Sequence, residues 1–320
     1  MVNPIISISI VNYNSFEYLL ECLESIRKYS NGLNIEVLIA DNASENFDSY
    51  SIYDIFAHAV ITINKKNMGF GYAHNRNFEL SKGEYFFILN PDTLITAGCL
   101  DKIIDIFETY SNVAIVSPTL LLKDKTDSRT HKLLPDLKSA FFELLFIDDL
   151  VKFFRKIKPY AEEERMDFSR VECINGAAFA IRRDIYKFLN GFDEQFFLYF
   201  EETDLCKRVT DFLGMKIFIM EDFFIHHIYG QSSITTDVRQ TIYYESFYKY
   251  FKKHSGGVIP CIVRGLIFFS GVVRLLSFQL KYFPLIRGWS VYKNKILTCL
   301  KLLSWVLFNK SASDRYAQDR

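Results

Sequence analysis

The chain has 320 residues, of which 38 are Lys or Arg, 38 are Asp or Glu, 49% are hydrophobic and 31 are Phe. Such a length allows one large domain or two smaller ones, and a charged fraction near one quarter excludes a disordered, collagen-like or wholly transmembrane chain. The zero formal net charge conceals a split: positions 246–313 hold no Asp or Glu and eleven Lys or Arg, which leaves 27 basic against 38 acidic residues elsewhere.

The six cysteines are scattered without a CxxC pair, which argues against a zinc ribbon, a redox motif or a secreted disulfide framework and for a reducing cytoplasm. The first residues run into an apolar stretch with no basic region and no small-residue cleavage site, so they read as a strand and not as a signal peptide. No run reaches the roughly 20 uninterrupted apolar residues of a spanning helix. The nearest, 265–273, is bounded by Arg264 and Arg274.

In chain order, residues 5–11 are a β-branched run with serines between isoleucines and predict a strand. Asn14, with Glu17 three residues later, predicts a cap for a helix carrying Leu19, Leu20, Leu23 and Ile26, closed by Asn31-Gly32. Strands follow at 35–40, 59–63 and 85–89, with a helix at 72–80. Strands alternating with helices predict an α/β fold with a mostly parallel central sheet covered on both faces, in which ligands bind beyond the carboxyl ends of the strands. Those ends are Asn12-Tyr13-Asn14, Asp41-Asn42, Asn67 with Gly69 and Gly71, and Asn90-Pro91-Asp92. Each alone is ordinary turn chemistry, but four in succession on one edge point to a ligand crevice. No GxGxxG follows the first strand and no Walker lysine loop occurs, which disfavours a dinucleotide oxidoreductase and a P-loop enzyme.

Further along, 119–134 predicts a hairpin around Lys123-Asp124-Lys125, and 139–158 an amphipathic helix rich in Phe. Residues 172–181 predict a strand interrupted by Gly176-Ala177-Ala178, small residues that suit either close approach of backbone to a ligand or tight packing of sheet on helix. Gly191-Phe192-Asp193 ends a helix, and the aromatic segment 196–200 leads into Glu201, Glu202 and Asp204 at the start of a helix over 201–212. Acidic residues favour the positive end of a helix dipole, whereas a carboxylate held against an apolar wall has a raised pKa and suits a general base; both readings fit. His226-His227 end a strand-like run at 217–225 and precede a Gly/Ser loop, within reach of a metal or phosphate at the sheet edge.

Taken together and in order, several short segments resemble a family 2 inverting glycosyltransferase of the GT-A fold, in its rhamnosyltransferase-like branch. They are Ser7-Ile8-Ser9-Ile10-Val11-Asn12-Tyr13-Asn14, Leu38-Ile39-Ala40-Asp41-Asn42-Ala43-Ser44, Asn67-Met68-Gly69-Phe70-Gly71 with Asn75-Arg76-Asn77, Leu89-Asn90-Pro91-Asp92, Gly176-Ala177-Ala178, Gly191-Phe192-Asp193-Glu194, Glu201-Glu202-Thr203-Asp204-Leu205 and His227-Ile228-Tyr229-Gly230-Gln231-Ser232. The resemblance covers roughly residues 5–235 and implies roles. Asp41 would accept hydrogen bonds from the base of a nucleotide-sugar donor, with Tyr13 and Asn42 beside it, Asn67 and Asn75 lining the pocket and Gly69 letting the loop approach. Asp92 would ligate Mg2+ or Mn2+ on the donor diphosphate, with His227 on that metal or on the phosphate. Glu202 would be the general base of a single inverting displacement, with Glu201 in reserve and Asp204 orienting or capping the helix. Two departures stand out: the metal motif reads Asn90-Pro91-Asp92 where the family often has Asp-x-Asp, and the acidic pair is Glu-Glu where it is often Glu-Asp.

The chain thus divides into a catalytic domain, 1–235, with a nucleotide-sugar-binding half at 1–110 and an acceptor and catalytic half at 111–235, and a basic helical region, 236–320. Helices are predicted at 237–254, 262–281 and 289–308. The last two are apolar on most faces, punctuated by Lys and Arg, with Trp289 and Trp305 placed for a headgroup boundary, a pattern suited to a membrane interface. A helical cap on the catalytic domain or an oligomer interface fits the same pattern. A nucleic-acid surface does not, because the basic residues are diluted among apolar ones. The sequence-level expectation is a cytoplasmic enzyme, peripheral on the inner face of the cell membrane, that transfers a sugar, rhamnose by branch resemblance, to a lipid-linked acceptor in O-antigen or capsule synthesis. The alternative is a non-catalytic nucleotide-binding scaffold subunit. Nothing in the sequence signals an oligomeric state.

Overall fold

The computed structural model describes residues 3–30, 32–122, 130–145, 168–227, 236–282 and 289–308. Its first strand, β1 (Ile6–Asn12), shows why the sheet is covered twice. Ile6, Ile8 and Ile10 are fully buried on one face, and Ser7 and Ser9 are fully buried on the other. The alternation is that of a strand, and the serines tolerate burial because Ser7 Oγ donates to Glu36 Oε1 (2.5 Å) and Ser9 Oγ meets His74 Nδ1 (2.7 Å). Next come α1 (Phe16–Tyr29), β2 (Ile35–Asp41), α2 (Ser49–Ile55), β3 (Val60–Ile63), α3 (Phe70–Leu80) and β4 (Tyr85–Leu89). In α1 the buried residues Leu19, Cys22, Leu23 and Ile26 recur at helical spacing and form the stripe that packs on the sheet.

β1 pairs in parallel with both β2 and β4, and β2 with β3. The chain continues through β5 (Thr93–Leu94), α4 (Cys99–Thr109), β6 (Val113–Leu121), β7 (His131–Lys132), α5 (Leu137–Leu144), β8 (Phe168–Arg170), β9 (Cys173–Ile174), β10 (Ala178–Arg182), α6 (Arg183–Phe188), α7 (Glu201–Leu213) and β11 (Lys216–His227). Among the described residues the main sheet runs β3-β2-β1-β4-β10-β6-β11-β5, with β8 beside β11. β10 is antiparallel to β4 and β6, and β11 is parallel to β6. The strand ends Asn12, Asp41, Leu89 and His227 therefore emerge on one edge. β4 serves both faces, with Tyr85, Phe87 and Leu89 in one apolar core and Phe86 and Ile88 in the other.

Of the described residues, those up to 134, 168–194 and 201–227 make one compact unit, and 135–145, 195–200 and 236–308 make a second. The second unit thus takes in α5 and the aromatic segment 195–200 as well as α8 (Thr236–His254), α9 (Ile259–Tyr282) and α10 (Trp289–Phe308). Its core is aromatic, with Phe196, Phe200, Phe247, Tyr250 and Trp305 buried together.

Several expectations need correction. Asn14 does not cap α1: it has a left-handed φ of +51°, its Oδ1 accepts from the Glu45 amide, and the capping position falls to Ser15. The turn of the hairpin expected at 119–134, Lys123-Asp124-Lys125, lies outside the described residues, and β7 after it pairs with β9, forty residues on. Residues 172–181 are two strands in two different sheets, parted at Gly176. The helix expected at 139–158 is seen as Leu137–Leu144, and the rest lies outside the described residues. One stretch, Ile259–Ser277, is long and apolar enough to cross a membrane despite its two arginines. Trp305 is buried against Tyr248 and unavailable to a lipid boundary, while the side chain of Trp289 lies outside the described set.

Candidate active site

The crevice edge is stitched by short polar contacts. Asp41, at the end of β2, is buried and accepts from Asn12 Nδ2 (2.8 Å) and Ser44 Oγ (2.6 Å) on Oδ1 and from the Ser44 amide (2.8 Å) on Oδ2. Ser44 Oγ in turn accepts from the Asn14 amide (2.8 Å). The loop bearing Tyr13 and the loop bearing Asp41 are thus held as one surface, and Oδ2 keeps a lone pair beyond the Ser44 amide. Asn42 is buried and spans to the next loop: its Nδ2 donates to the Gly69 carbonyl (3.2 Å), and its Oδ1 accepts from Asn64 Nδ2 (2.9 Å). Asn67 Oδ1 accepts from the Gly69 amide (3.0 Å). Gly69 has φ +93°, a left-handed value that a side chain would strain. Asn42, Asn67 and Gly69 shape the loop that opens α3.

Asn75 departs from its expected place in a nucleotide pocket. Its Nδ2 donates to the Phe192 carbonyl (2.9 Å) and Glu194 Oε1 (3.0 Å), and its Oδ1 accepts from Tyr186 OH (2.7 Å) and the Phe192 amide (2.9 Å). A carboxamide has two donor hydrogens and two acceptor lone pairs. Three are spent on the Gly191-Phe192-Asp193-Glu194 turn and the fourth on Tyr186 OH, so Asn75 is a structural clamp.

At the other end of the crevice, β5 pairs with β11 so that His227 lies opposite Thr93. His227 Nε2 comes within 3.3 Å of Asp92 Oδ1, with both side chains mostly shielded. Two cis ligands of one octahedral ion at about 2.1 Å stand about 3 Å apart, so this pair fits a shared divalent cation. Asn90 adds no second carboxylate, and no cluster of three or more His, Cys, Asp or Glu suited to a metal occurs among the described residues. His226, one residue earlier, points to the opposite face. There it lines a separate open groove of about 1010 Å3 with Leu20, Glu24, Ile55 and Ile95, which contains none of the candidate residues.

The acidic helix start resolves into three unlike carboxylates. Asp204 is fully buried and pairs with Arg208 one turn on (2.7 Å), whose other nitrogens donate to the Leu189 and Gly191 carbonyls (both 2.8 Å). It therefore anchors α7 to the Gly191 turn, in line with an orienting role. Glu201 is buried against Phe192 and the glycine at position 71, and its Oε2 has no partner. Burial and the neighbouring Glu202 push its pKa well above the usual carboxylate range. Glu202 turns the other way, with Oε1 2.7 Å from Lys132 Nζ on β7 and its side chain 3.6 Å from where a Cβ at Gly176 would stand. The raised pKa expected of a carboxylate on this helix therefore belongs to Glu201, while Glu202 is ion-paired. Lys132 was not foreseen, because an isolated lysine in a loop-like stretch carries no pattern. The residues before the helix, Tyr199 and Phe200, both have left-handed φ values (+68° and +70°). Each costs roughly 1–2 kcal/mol, the kind of strain that collects at functional sites.

A mixed, mostly parallel sheet of this order, with polar strand ends on one edge and an acidic helix start facing them, is the architecture of the GT-A class of glycosyltransferases. The chain belongs to glycosyl transferase family 2, whose profile, described as "Glycosyl transferase family 2", matches residues 7–189. It is similar to the N-acetylglucosaminyl-diphospho-decaprenol L-rhamnosyltransferase of Mycobacterium tuberculosis (22% identity, 60% of this chain and 66% of that protein). It is also similar to the rhamnosyltransferase WbbL of Escherichia coli K12 (24% identity, 69% of this chain and 82% of that protein). The chain thus spans just under two thirds of the mycobacterial relative. Its fold is shared by GalNAc-T7, solved with UDP, GalNAc and Mn2+ (TM-score 0.58, 13% identity, 78% of this chain and 48% of that one), and by the mannosyltransferase PcManGT of Pyrobaculum calidifontis, solved with GDP-Man and Mn2+ (TM-score 0.56, 12% identity, 97% and 89%).

Proposed function

We propose that this glycosyltransferase is an inverting enzyme that moves a sugar, rhamnose by similarity, from a nucleotide-diphosphate donor to a lipid-linked glycan acceptor in bacterial surface polysaccharide synthesis. The observation that carries the reading is the pairing of Asp92 with His227 on the same sheet edge as Asp41, with the Glu202 carboxylate, held at Oε1 by Lys132, as the base. In the proposed step the acceptor hydroxyl gives its proton to Glu202 Oε2. Its oxygen forms a bond to the anomeric carbon as the bond from that carbon to the diphosphate breaks, and the electron pair leaves with the nucleoside diphosphate. Asp41 and the loop pinned by Asn42 hold the nucleotide, with Tyr13, Asn67 and Gly69 at its border. Asp92 and His227 would hold Mg2+ or Mn2+, which when bound neutralises charge on the leaving diphosphate; the Mn2+ of both fold neighbours supports a divalent ion. The curated relatives named for decaprenol and rhamnose support the acceptor class and the sugar.

The reading extends to peripheral attachment at the cytoplasmic membrane face through the C-terminal helices. Ile262, Phe269, Val273 and Leu276 form an exposed apolar stripe along α9, while Arg264 and Arg274 turn inward to the Val306 carbonyl and Tyr244 OH. Apolar contact and not those two charges would therefore lead, with exposed Lys252, Lys253, Lys293 and Lys301 meeting anionic headgroups. A second reading, a nucleotide-binding scaffold subunit without turnover, is favoured by one observation, the neutral Asn90 in the metal motif. The test is release of nucleoside diphosphate from a panel of dTDP-, UDP- and GDP-sugars with a polyprenyl-diphosphate acceptor, with and without chelator. Turnover that needs Mg2+ or Mn2+ and vanishes in Glu202→Gln with donor binding retained supports the enzyme. Donor binding without turnover supports the scaffold.

A further inference from the structure

Glu201 and Glu202 are chemically alike and adjacent, yet a single displacement needs one base. The discriminating feature is a residue contributed from 70 positions earlier. β7 pairs antiparallel with β9, Lys132 lying opposite Cys173, and a backbone bond from the Asn175 amide to the Thr130 carbonyl (2.8 Å) closes the pair. This small sheet packs against α7 and delivers Lys132 Nζ to 2.7 Å from Glu202 Oε1. The lysine side chain is 44% exposed, but the glutamate side chain it meets is only 10% exposed, so the pair is shielded at the Glu202 end.

We propose that Lys132 is a positioning residue that selects Glu202 over Glu201 as the proton acceptor. It occupies Oε1 and orients Oε2 toward the acceptor hydroxyl. The inference rests on the proposed transferase reading and deepens it. The ionisable groups around Glu202 are Lys132 from β7, Cys173 from β9, and Glu201, Asp204 and Cys206 on its own helix. β11, also packed on α7, contributes apolar Ile217. Asp204 is neutralised by Arg208, so Lys132 is the cation that separates the two glutamates. The ammonium gains from the same contact: burial works against its charge most strongly, but Glu202 and the nearby thiols of Cys173 and Cys206 together outweigh it and hold the lysine pKa above its ordinary value. Glu201 is driven toward its protonated form, in which it cannot accept a proton, by burial and by Glu202, which exceed the weaker influence of Lys132 on it.

The experiment compares wild type, Lys132→Arg, Lys132→Met and Lys132→Gln. It reads kcat/KM for the donor from pH 5 to 9 and, separately, the carboxyl carbon of 13C-labelled glutamate, with the Glu202 resonance identified by its loss in Glu202→Gln. An opposite charge in contact moves a carboxyl pKa by about 1–3 units. Lys132→Met and Lys132→Gln should therefore move the acid limb of the rate profile upward by about one unit or more. The rate should fall roughly tenfold on the acid side of the limb and approach the wild-type value as pH rises above it, with donor KM within about twofold, and Lys132→Arg should keep the wild-type limb. A uniform loss at every pH, or a Glu202 titration indifferent to the loss of the lysine, overturns the proposal. Titration that shifts in a protein without turnover overturns the transferase reading while leaving the Lys132–Glu202 coupling in place, so the two failures are distinguishable. Met and Gln differ in polarity but both lack the charge; if one misfolds, the other supplies the comparison.

Discussion

Gly191→Ala tests the clamp that holds the helix bearing Glu201 and Glu202. Gly191 has φ +67°, and a Cβ built on it would stand 2.4 Å from Asn75 Oδ1 and 2.9 Å from Tyr186 Cε1. The left-handed backbone costs an L-residue roughly 1–2 kcal/mol, and forcing a methyl into a filled site adds about 1–3 kcal/mol. Asn75 cannot step aside freely, because its four hydrogen bonds are all committed to this turn and to Tyr186. The expected loss is about 2–5 kcal/mol, a large share of a typical stability of roughly 5–15 kcal/mol. The assay is urea unfolding of Gly191→Ala, Asn75→Ala and the double variant. Removing Asn75 abolishes the 2.4 Å contact but not the strained φ, so the double variant should be more stable than additivity predicts, by about 1 kcal/mol or more. A Gly191→Ala protein within about 0.5 kcal/mol of wild type, or strict additivity, would refute the reasoning.

Arg208→Met should destabilise by about 3–5 kcal/mol, since it leaves Asp204 buried without its cation; combining it with Asp204→Leu should recover much of that loss in thermal unfolding, and a larger loss in the pair would count against it. His74 is fully buried, and burial drives its pKa down from 6.5 to about 3. Folded His74 therefore stays neutral while the unfolded chain takes up a proton below pH 6.5, so its contribution is complete above pH 6.5 and is lost as pH falls toward 3. At pH 5 that loss is about 2 kcal/mol, 1.5 units at 1.36 kcal/mol each. Between pH 7.5 and 5 the wild type should lose that much more stability than His74→Gln, and equal losses in the two proteins would remove His74 from the acid response.

The pattern of β1 announces its own sheet, because Ile-Ser-Ile-Ser-Ile is period two and serine is small enough to be buried with a partner. The edge residues Asp41 and His227 were legible for the same reason, since each ends a strand and parallel strands deliver their ends to one side; Asp92 follows the end of β4 by three residues. Local reading failed wherever pairing is non-local. Lys132 owes its place to a strand partner at Cys173, and no turn signal marks that pairing. Asn75 looked like a ligand residue because carboxamides suit nucleotides, but Tyr186 and Phe192, more than a hundred positions away, consume its hydrogen-bonding capacity. Asn14 had the composition of a cap but not the backbone. The Asp204–Arg208 pair, by contrast, sits at helical i,i+4 spacing and was open to discovery from sequence.

The contrast between Glu201 and Glu202 shows how the fold makes two identical side chains do different things. Consecutive helix positions point about 100° apart. At the first turn of α7 one glutamate therefore faces Gly71 and Phe192, and the other faces Gly176 and Lys132. A Cβ at Gly71 would press on Phe192 Cβ at 3.0 Å, whereas one at Gly176 would only touch the Glu202 side chain at 3.6 Å. Two adjacent buried anions repel, and burial penalises each charge further. The lowest-energy state gives one of them a cation and the other a proton. Which one receives which is decided by β7 and β9, elements outside the helix, so a substitution at Lys132 is expected to alter the chemistry of α7 without touching it.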